Sequence, residues 1–228
     1  MNDTLIKIFS SREDISSYLF HFTKNSYAFE TLCKIVANEA IKDVNSKGAI
    51  CFTEAPITLL ADMFKVFENF KEPMFSHYGI AIRKDLIFNL GGRPVIYGLE
   101  EEKKQLHQSM QWRFEYYIPN VHDYSWMREW RLPKSELQLT QENCFIITKE
   151  KSELSIIFDE TDIGEIEFDG CMEDGEFRGY AYTQIHRKFM SISLEEIEEF
   201  NKLSKRELEM LLSKQSFDDK IDLCLGGF

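Results

Sequence analysis

Residues 18–23 read Tyr18-Leu19-Phe20-His21-Phe22-Thr23, a short, aromatic-rich run that suits a buried β-strand. Alternation puts Leu19, His21 and Thr23 on one face and Tyr18, Phe20 and Phe22 on the other. The aromatic face is the expected core, so His21 and Thr23 are expected to face a second environment such as a cleft. A histidine satisfied inside the core fits the same pattern. Upstream lie a short apolar run (Leu5, Ile6, Ile8, Phe9) and a polar turn at Ser10-Ser11-Arg12-Glu13. Downstream, Asn25 and Ser26 offer caps for a helix reaching about Glu39, with Phe29, Leu32, Ile35 and Val36 at helical spacing.

Gly48 and then Ala49-Ile50-Cys51-Phe52-Thr53 predict a second strand, and Pro56 opens a helix carrying Leu59, Leu60, Met63, Phe64 and Phe67. Gly79-Ile80-Ala81-Ile82 and Pro94-Val95-Ile96-Tyr97 read as strands around a Gly91-Gly92 turn. Residues 100–117 read as a helix with an acidic first turn, Glu100-Glu101-Glu102. Met127-Arg128-Glu129-Trp130-Arg131-Leu132 alternates and stops at Pro133, as a strand does. Further strands are expected near 143–148, 154–158 and 163–168. In the tail, Ser193-x-x-Glu196 and Ser204-x-x-Glu207 are successive capping boxes of a helical hairpin buried through Leu194, Ile197, Leu208, Leu211 and Leu212. This order is not the strict alternation of a doubly wound fold. It predicts an α+β protein, a mixed and mostly antiparallel sheet flanked by helices, with a core domain over 1–170 and a mainly helical extension over 171–228.

Twenty-seven basic residues against 39 acidic ones leave a formal charge of −12, which argues against broad affinity for nucleic acid. A local basic patch from Arg83, Lys84 and Arg93 is compatible with that total. The five cysteines (Cys33, Cys51, Cys144, Cys171, Cys224) are scattered and never form C-x-x-C. That spacing suits neither a metal cluster nor a disulfide framework, and the first three read as core fillers. His77, His107 and His122 lack ligand spacing, so no metal is expected. Without a secretory h-region or a stretch near the ~20 apolar residues that span a bilayer, the expected home is the cytoplasm, away from any membrane.

Thr53 shares a strand face with Cys51, either lining the cleft of His21 or capping a turn. Glu129 and Arg131 share a face with Met127. They form either a surface ion pair worth less than about 1 kcal/mol or, in the cleft, a carboxylate that orients a substrate hydroxyl. Tyr78 and Tyr97 flank strands, as buried tyrosines or as stacking partners for an aromatic ligand.

Phe52-Thr53-Glu54-Ala55-Pro56-Ile57, Tyr78-Gly79-Ile80-Ala81-Ile82-Arg83-Lys84 and Gly92-Arg93-Pro94-Val95-Ile96-Tyr97 resemble the pattern of the AbiGi-like abortive-infection family. Glu129-Trp130-Arg131-Leu132 is similar to an E-W-R strand in a related family of uncharacterised bacterial proteins, and residues 163–170 match its following strand loosely. The resemblance covers residues 18–170 and implies a setting in phage defence or a toxin–antitoxin system. A strand with H-x-T, a strand ending in Thr and a late strand with Glu also resemble ADP-ribosyltransferases of the His-Tyr-Glu type. That likeness implies NAD as substrate. His21, beside Thr23, would hold the adenosine ribose, Tyr78 or Tyr97 would stack on nicotinamide, and Glu129 would bind the nicotinamide ribose, with Thr53 and Arg131 nearby. A G-x-H loop is missing, and the tyrosine is not singled out. A non-catalytic antitoxin or sensor, binding a protein partner through its acidic surface or C-terminal helices, is the alternative expectation. A nuclease fits less well, for want of clustered acidic ligands and a basic surface.

Overall fold

The computed structural model describes residues 16–43, 48–69, 71, 73, 75–154, 157, 166–173, 176–183, 189–204 and 206–207, with the backbone alone for 166–173 and 176–183. Strand β1 (Tyr18–Phe22) runs through the middle of a seven-stranded sheet. On one side stand β4 (Gly79–Arg83), β10 (Cys144–Thr148) and β13 (Met190–Ser193). On the other stand β3 (Ile50–Thr53), β8 (Glu129–Leu132) and β5 (Arg93–Pro94). Only the β10–β13 pair in this sheet is parallel. The sheet is therefore mixed and mostly antiparallel, with helices on both faces.

The two faces bury two separate cores, which corrects the expectation that only the aromatic side of β1 is interior. Leu19 pairs with Ile82, and both pack with Leu32 and Val36 of α1 (Ala28–Asn38) and Ile87 of α3 (Lys84–Asn89). Phe20 and Phe22 pack on the opposite side with Leu60 and Phe64 of α2 (Ile57–Phe67) and with Leu194 and Ile197 of α5 (Leu194–Asn201). Gly79 is required opposite Phe22, because a Cβ there would come within 2.6 Å of the Phe22 ring.

Several elements depart from expectation for identifiable reasons. Residues 100–117 do not form one helix: α4 (Glu100–Lys103) is followed by a 3-10 segment over Gln108–Arg113 and β7 (Phe114–Tyr116). The acidic first turn starts a helix, but beyond it Leu106 is only half-buried and Met110 is exposed, so no buried stripe holds its continuation. The strand expected at 154–158 is contradicted by helical residues 151–154 and 157. There the Glu153 carboxylate accepts the Glu150 N–H at 2.8 Å, and buried Leu154 and Ile157 lie three apart, a helical interval. The stretch 94–97 divides at Val95, so that β5 pairs with β8 while β6 (Ile96–Gly98) pairs with β7. Two short strands, β2 (Ala40–Lys42) and β9 (Glu136–Gln138), pair with each other.

After residue 170 the chain holds strands as well as helix. A hairpin joins β11 (Ile166–Glu173) to β12 (Glu176–Thr183), and β13 enters the main sheet. Both expected capping boxes form: Glu196 takes the Ser193 N–H and Glu207 the Ser204 N–H, at 2.9 and 2.8 Å. Leu208, Leu211 and Leu212, on which the second helix was expected to pack, lie outside the described residues. Leu194 and Ile197 belong to the second core, so Leu194→Ala is expected to cost about 2–5 kcal/mol. Deletion of 193–228 is expected to abolish cooperative unfolding rather than release a detachable tail, and urea denaturation checks both. Among the described residues no helix is long and apolar enough to cross a membrane.

Candidate functional site

β1 and β3 meet at a single residue pair, Phe20 with Thr53. Beyond it the His21 side chain, rather than the β1 backbone, reaches β3: its Nδ1 lies 2.8 Å from the Cys51 carbonyl. Next to this junction is a cavity of about 580 Å³, lined by His21, Lys24, Cys51 and Thr53 together with Trp112, Glu115, Tyr124, Glu129 and Arg131. That volume lies within the ~300–1,000 Å³ usual for small-molecule sites.

Register explains the carboxylate side. Thr53 stands opposite Glu129 and Cys51 opposite Arg131, so all four project from one face, the face of Phe20. Alternation assigns His21 to the other face, where its ring contacts Phe52 at 5.9 Å between centroids. The expected meeting of His21, Thr53 and Glu129 in one cavity is found, although His21 reaches it from the opposite pleat. A carbonyl can only accept, so the His21 Nδ1 carries the proton and Nε2 keeps its lone pair. Burial holds the His21 pKa below 6.5 against the effect of the Cys51 carbonyl, and the Lys24 charge lowers it further. The ring is thus neutral at pH 7.

A histidine whose folded pKa is depressed contributes stability above its unfolded pKa and loses it as pH falls below about 6.5. His77 is shifted in the same direction, again chiefly by burial. The loss of stability between pH 7 and pH 5 is therefore expected to be smaller in His21→Gln than in the wild type. Chemical denaturation of the two proteins at both pH values measures the difference.

Arg131 is the hub of the carboxylate side. Its Nε donates to Glu129 Oε1 at 2.8 Å, its Nη2 to Glu115, and its Nη1 to the carbonyls of Trp112 and Phe114 at 3.2 and 2.9 Å. Burial opposes the guanidinium charge, yet the Glu129 and Glu115 carboxylates outweigh it and raise its pKa further. With four of its five N–H donors committed to protein, Arg131 holds Glu129 in place, whereas the sequence reading made it a substrate ligand. The Glu129 side chain is 12% exposed, and its Oε2 takes no hydrogen bond among the described residues.

Hydrogen bonds tie down the corner that leads into Glu129. Arg128 adopts a left-handed φ of 46°, a conformation that costs a non-glycine residue about 1–2 kcal/mol. The Glu54 N–H holds this corner through the Met127 and Arg128 carbonyls, each at 3.2 Å, and the Thr53 hydroxyl donates to the Met127 carbonyl. Thr53 therefore lines the cavity while its proton serves the backbone. Tyr97 supports the same corner from outside the lining: its hydroxyl accepts the Glu129 N–H at 3.4 Å and donates to the Tyr124 carbonyl at 3.2 Å.

Two other expected ligands lie elsewhere. Thr23 is buried, with its hydroxyl 3.0 Å from the Ala28 carbonyl, 2.9 Å from that of Tyr78 and 2.9 Å from Ser76 Oγ. It fastens β1 to the start of β4. Tyr78 packs against Phe29 of α1 and donates to Glu153 Oε1 at 2.6 Å, so burial and that carboxylate raise its pKa. Besides Phe20, Phe22, Phe52 and Phe75, aromatic lining comes from Trp112 and Tyr124, and a second carboxylate comes from Glu115; these last three were not singled out from sequence. Their one sequence signal is six aromatic residues in the fifteen from Trp112 to Trp126, without a helical period. Cys51, read as a core filler, is exposed.

Among the described residues no cluster of three or more His, Cys, Asp or Glu side chains is arranged to hold a metal ion. Comparison with protein-family models, with curated proteins and with solved structures finds no match for this chain.

Proposed function

We propose that this protein is an NAD- or nucleotide-handling enzyme of ADP-ribosyltransferase-like architecture, acting in phage defence or a toxin–antitoxin system. The observation that carries the reading is the Glu129 carboxylate, fixed through one oxygen by Arg131, in a cavity it shares with a neutral His21 and the rings of Trp112 and Tyr124. The defence setting rests on the sequence resemblance alone.

In this reading the ribose–nicotinamide C–N bond of NAD lengthens, its electron pair leaves with neutral nicotinamide, and positive charge develops on the ribose ring. Glu129 Oε2 accepts a ribose hydroxyl and faces that charge, a preorganised electrostatic contact that strengthens toward the transition state. Water or an acceptor group then adds at the ribose carbon and releases a proton. His21 Nε2, held as an acceptor, takes a hydroxyl of the other ribose. Trp112 and Tyr124 supply aromatic surface for the bases.

Titration with NAD tests the reading through melting temperature and nicotinamide release. A ligand at 100 times its dissociation constant adds about 2.7 kcal/mol to stability, a rise of several degrees. The absence of both a shift and nicotinamide release at millimolar NAD would overturn it and leave a protein-binding module as the better account.

A further inference from the structure

Strand β5 is the outer strand of the sheet, and its alternate carbonyls point away from β8, because Arg93 pairs with Arg131 and the Val95 N–H bonds the Glu129 carbonyl. Two guanidiniums meet those outward carbonyls. Arg93 Nη1 donates to Gly92 O at 2.6 Å and Phe88 O at 2.8 Å, while Arg113 Nε donates to Pro94 O at 2.9 Å. Carbonyls two residues apart on an extended chain point the same way about 6–7 Å apart, so the two cations are fixed side by side. Arg93 is further held over the Phe88 ring, 4.0 Å from its centroid.

The charges around this pair differ from those of the other basic residues singled out in sequence. Arg83 is neutralised by Asp85 at 2.6 Å and Lys84 by Glu54 at 2.8 Å. Neither Arg93 nor Arg113 has a carboxylate partner among the described residues. Burial and the Arg93 charge lower the Arg113 pKa, as repulsion between adjacent cations requires. Each keeps donors that are not spent on the backbone: the two Nη groups of Arg113, and Nε and Nη2 of Arg93. Planar guanidinium forks of this kind match phosphate oxygens. Neither arginine lines the cavity; Arg113 follows the lining residue Trp112, and Arg93 stands one strand beyond the lining residue Arg131.

We infer that Arg93 and Arg113 form a diphosphate clamp at the outer edge of β5, one strand beyond the cavity; in the nucleotide reading above, on which this assignment rests, it takes the diphosphate of a nucleotide. Inorganic pyrophosphate is the probe, titrated calorimetrically into the wild type, Arg93→Ala and Arg113→Ala at low and moderate salt. Expected are binding to the wild type that weakens with salt, and at least tenfold weaker binding in each variant. Because both side chains also hold edge carbonyls, Arg93→Lys and Arg113→Lys are the companions: they keep the charge but lose the fork, and are expected to bind pyrophosphate several-fold more weakly at unchanged melting temperature. Absence of pyrophosphate binding to the wild type, or equal binding in the folded variants, overturns the clamp. NAD separates this outcome from that of the enzyme reading. Turnover with KM unchanged in the variants refutes the clamp and keeps the enzyme. Arginine-dependent pyrophosphate binding without NAD turnover keeps the clamp and removes the enzyme.

Discussion

Glu129→Gln is expected to lower NAD turnover by about 10²–10³ at a small cost in melting temperature, because the cavity loses one preorganised electrostatic contact and Arg131 one of its two charged partners. Gln retains the planar shape, and its carbonyl oxygen still accepts the Arg131 Nε donor that now sits 2.8 Å from Oε1. The lost quantity is the negative charge facing the cavity, which matters only when positive charge develops on the ribose. The fall should therefore appear in kcat, with KM little changed, since hydrogen bonding to the ground-state ribose persists. Arg131 keeps Glu115 as a charged partner, so stability has a second anchor. Wild type and variant compared at matched melting temperature decide the point: equal nicotinamide release in both rules out Glu129 as the catalytic group.

Short-range rules made some of this site legible and left the rest hidden. Period-two alternation placed Glu129 with Arg131 and Cys51 with Thr53, and the β3–β8 register then joined the two pairs on one face. The Ser193–Glu196 and Ser204–Glu207 boxes were equally local and form as read. His21 misled the same rule, because the pleat assigns it to the face of Leu19 while the short β1–β3 pairing leaves room for its ring to reach the Cys51 carbonyl. Tyr78 and Tyr97 could not be told apart by spacing. Their roles depend on Glu153 and on Tyr124, 75 and 27 residues away, and neither ring lines the cavity. Trp112, Glu115 and Tyr124 come from a stretch with little regular structure, placed by the β6–β7 pair and the backbone contacts of Arg131.

Arg131→Met is expected to have the largest effect on stability of any substitution in the site, about 3–5 kcal/mol, because it strands partners that cannot follow it out of the protein. Arg131 is 16% exposed and bonds two carboxylates and two backbone carbonyls. Without it, Glu129 and Glu115 face one another in a half-enclosed cavity, and the 3-10 segment loses the tie that sets Trp112 against it. Such a loss is not pairwise. Glu115→Gln in the Arg131→Met background should recover part of the stability, whereas Glu115→Gln alone should destabilise the wild type by removing a charged partner. A double-mutant cycle by urea denaturation measures that coupling. Opposite signs for the two Glu115→Gln steps establish that the guanidinium holds two like charges together. Additive losses would reduce the bridge to a solvent-screened pair worth under about 1 kcal/mol. Arg131→Lys sharpens the test, because a single ammonium restores the charge but not the fork that reaches Glu129, Glu115 and both carbonyls at once. Partial recovery of stability with turnover still depressed would show that the geometry of Glu129, beyond its survival as an anion, depends on the guanidinium.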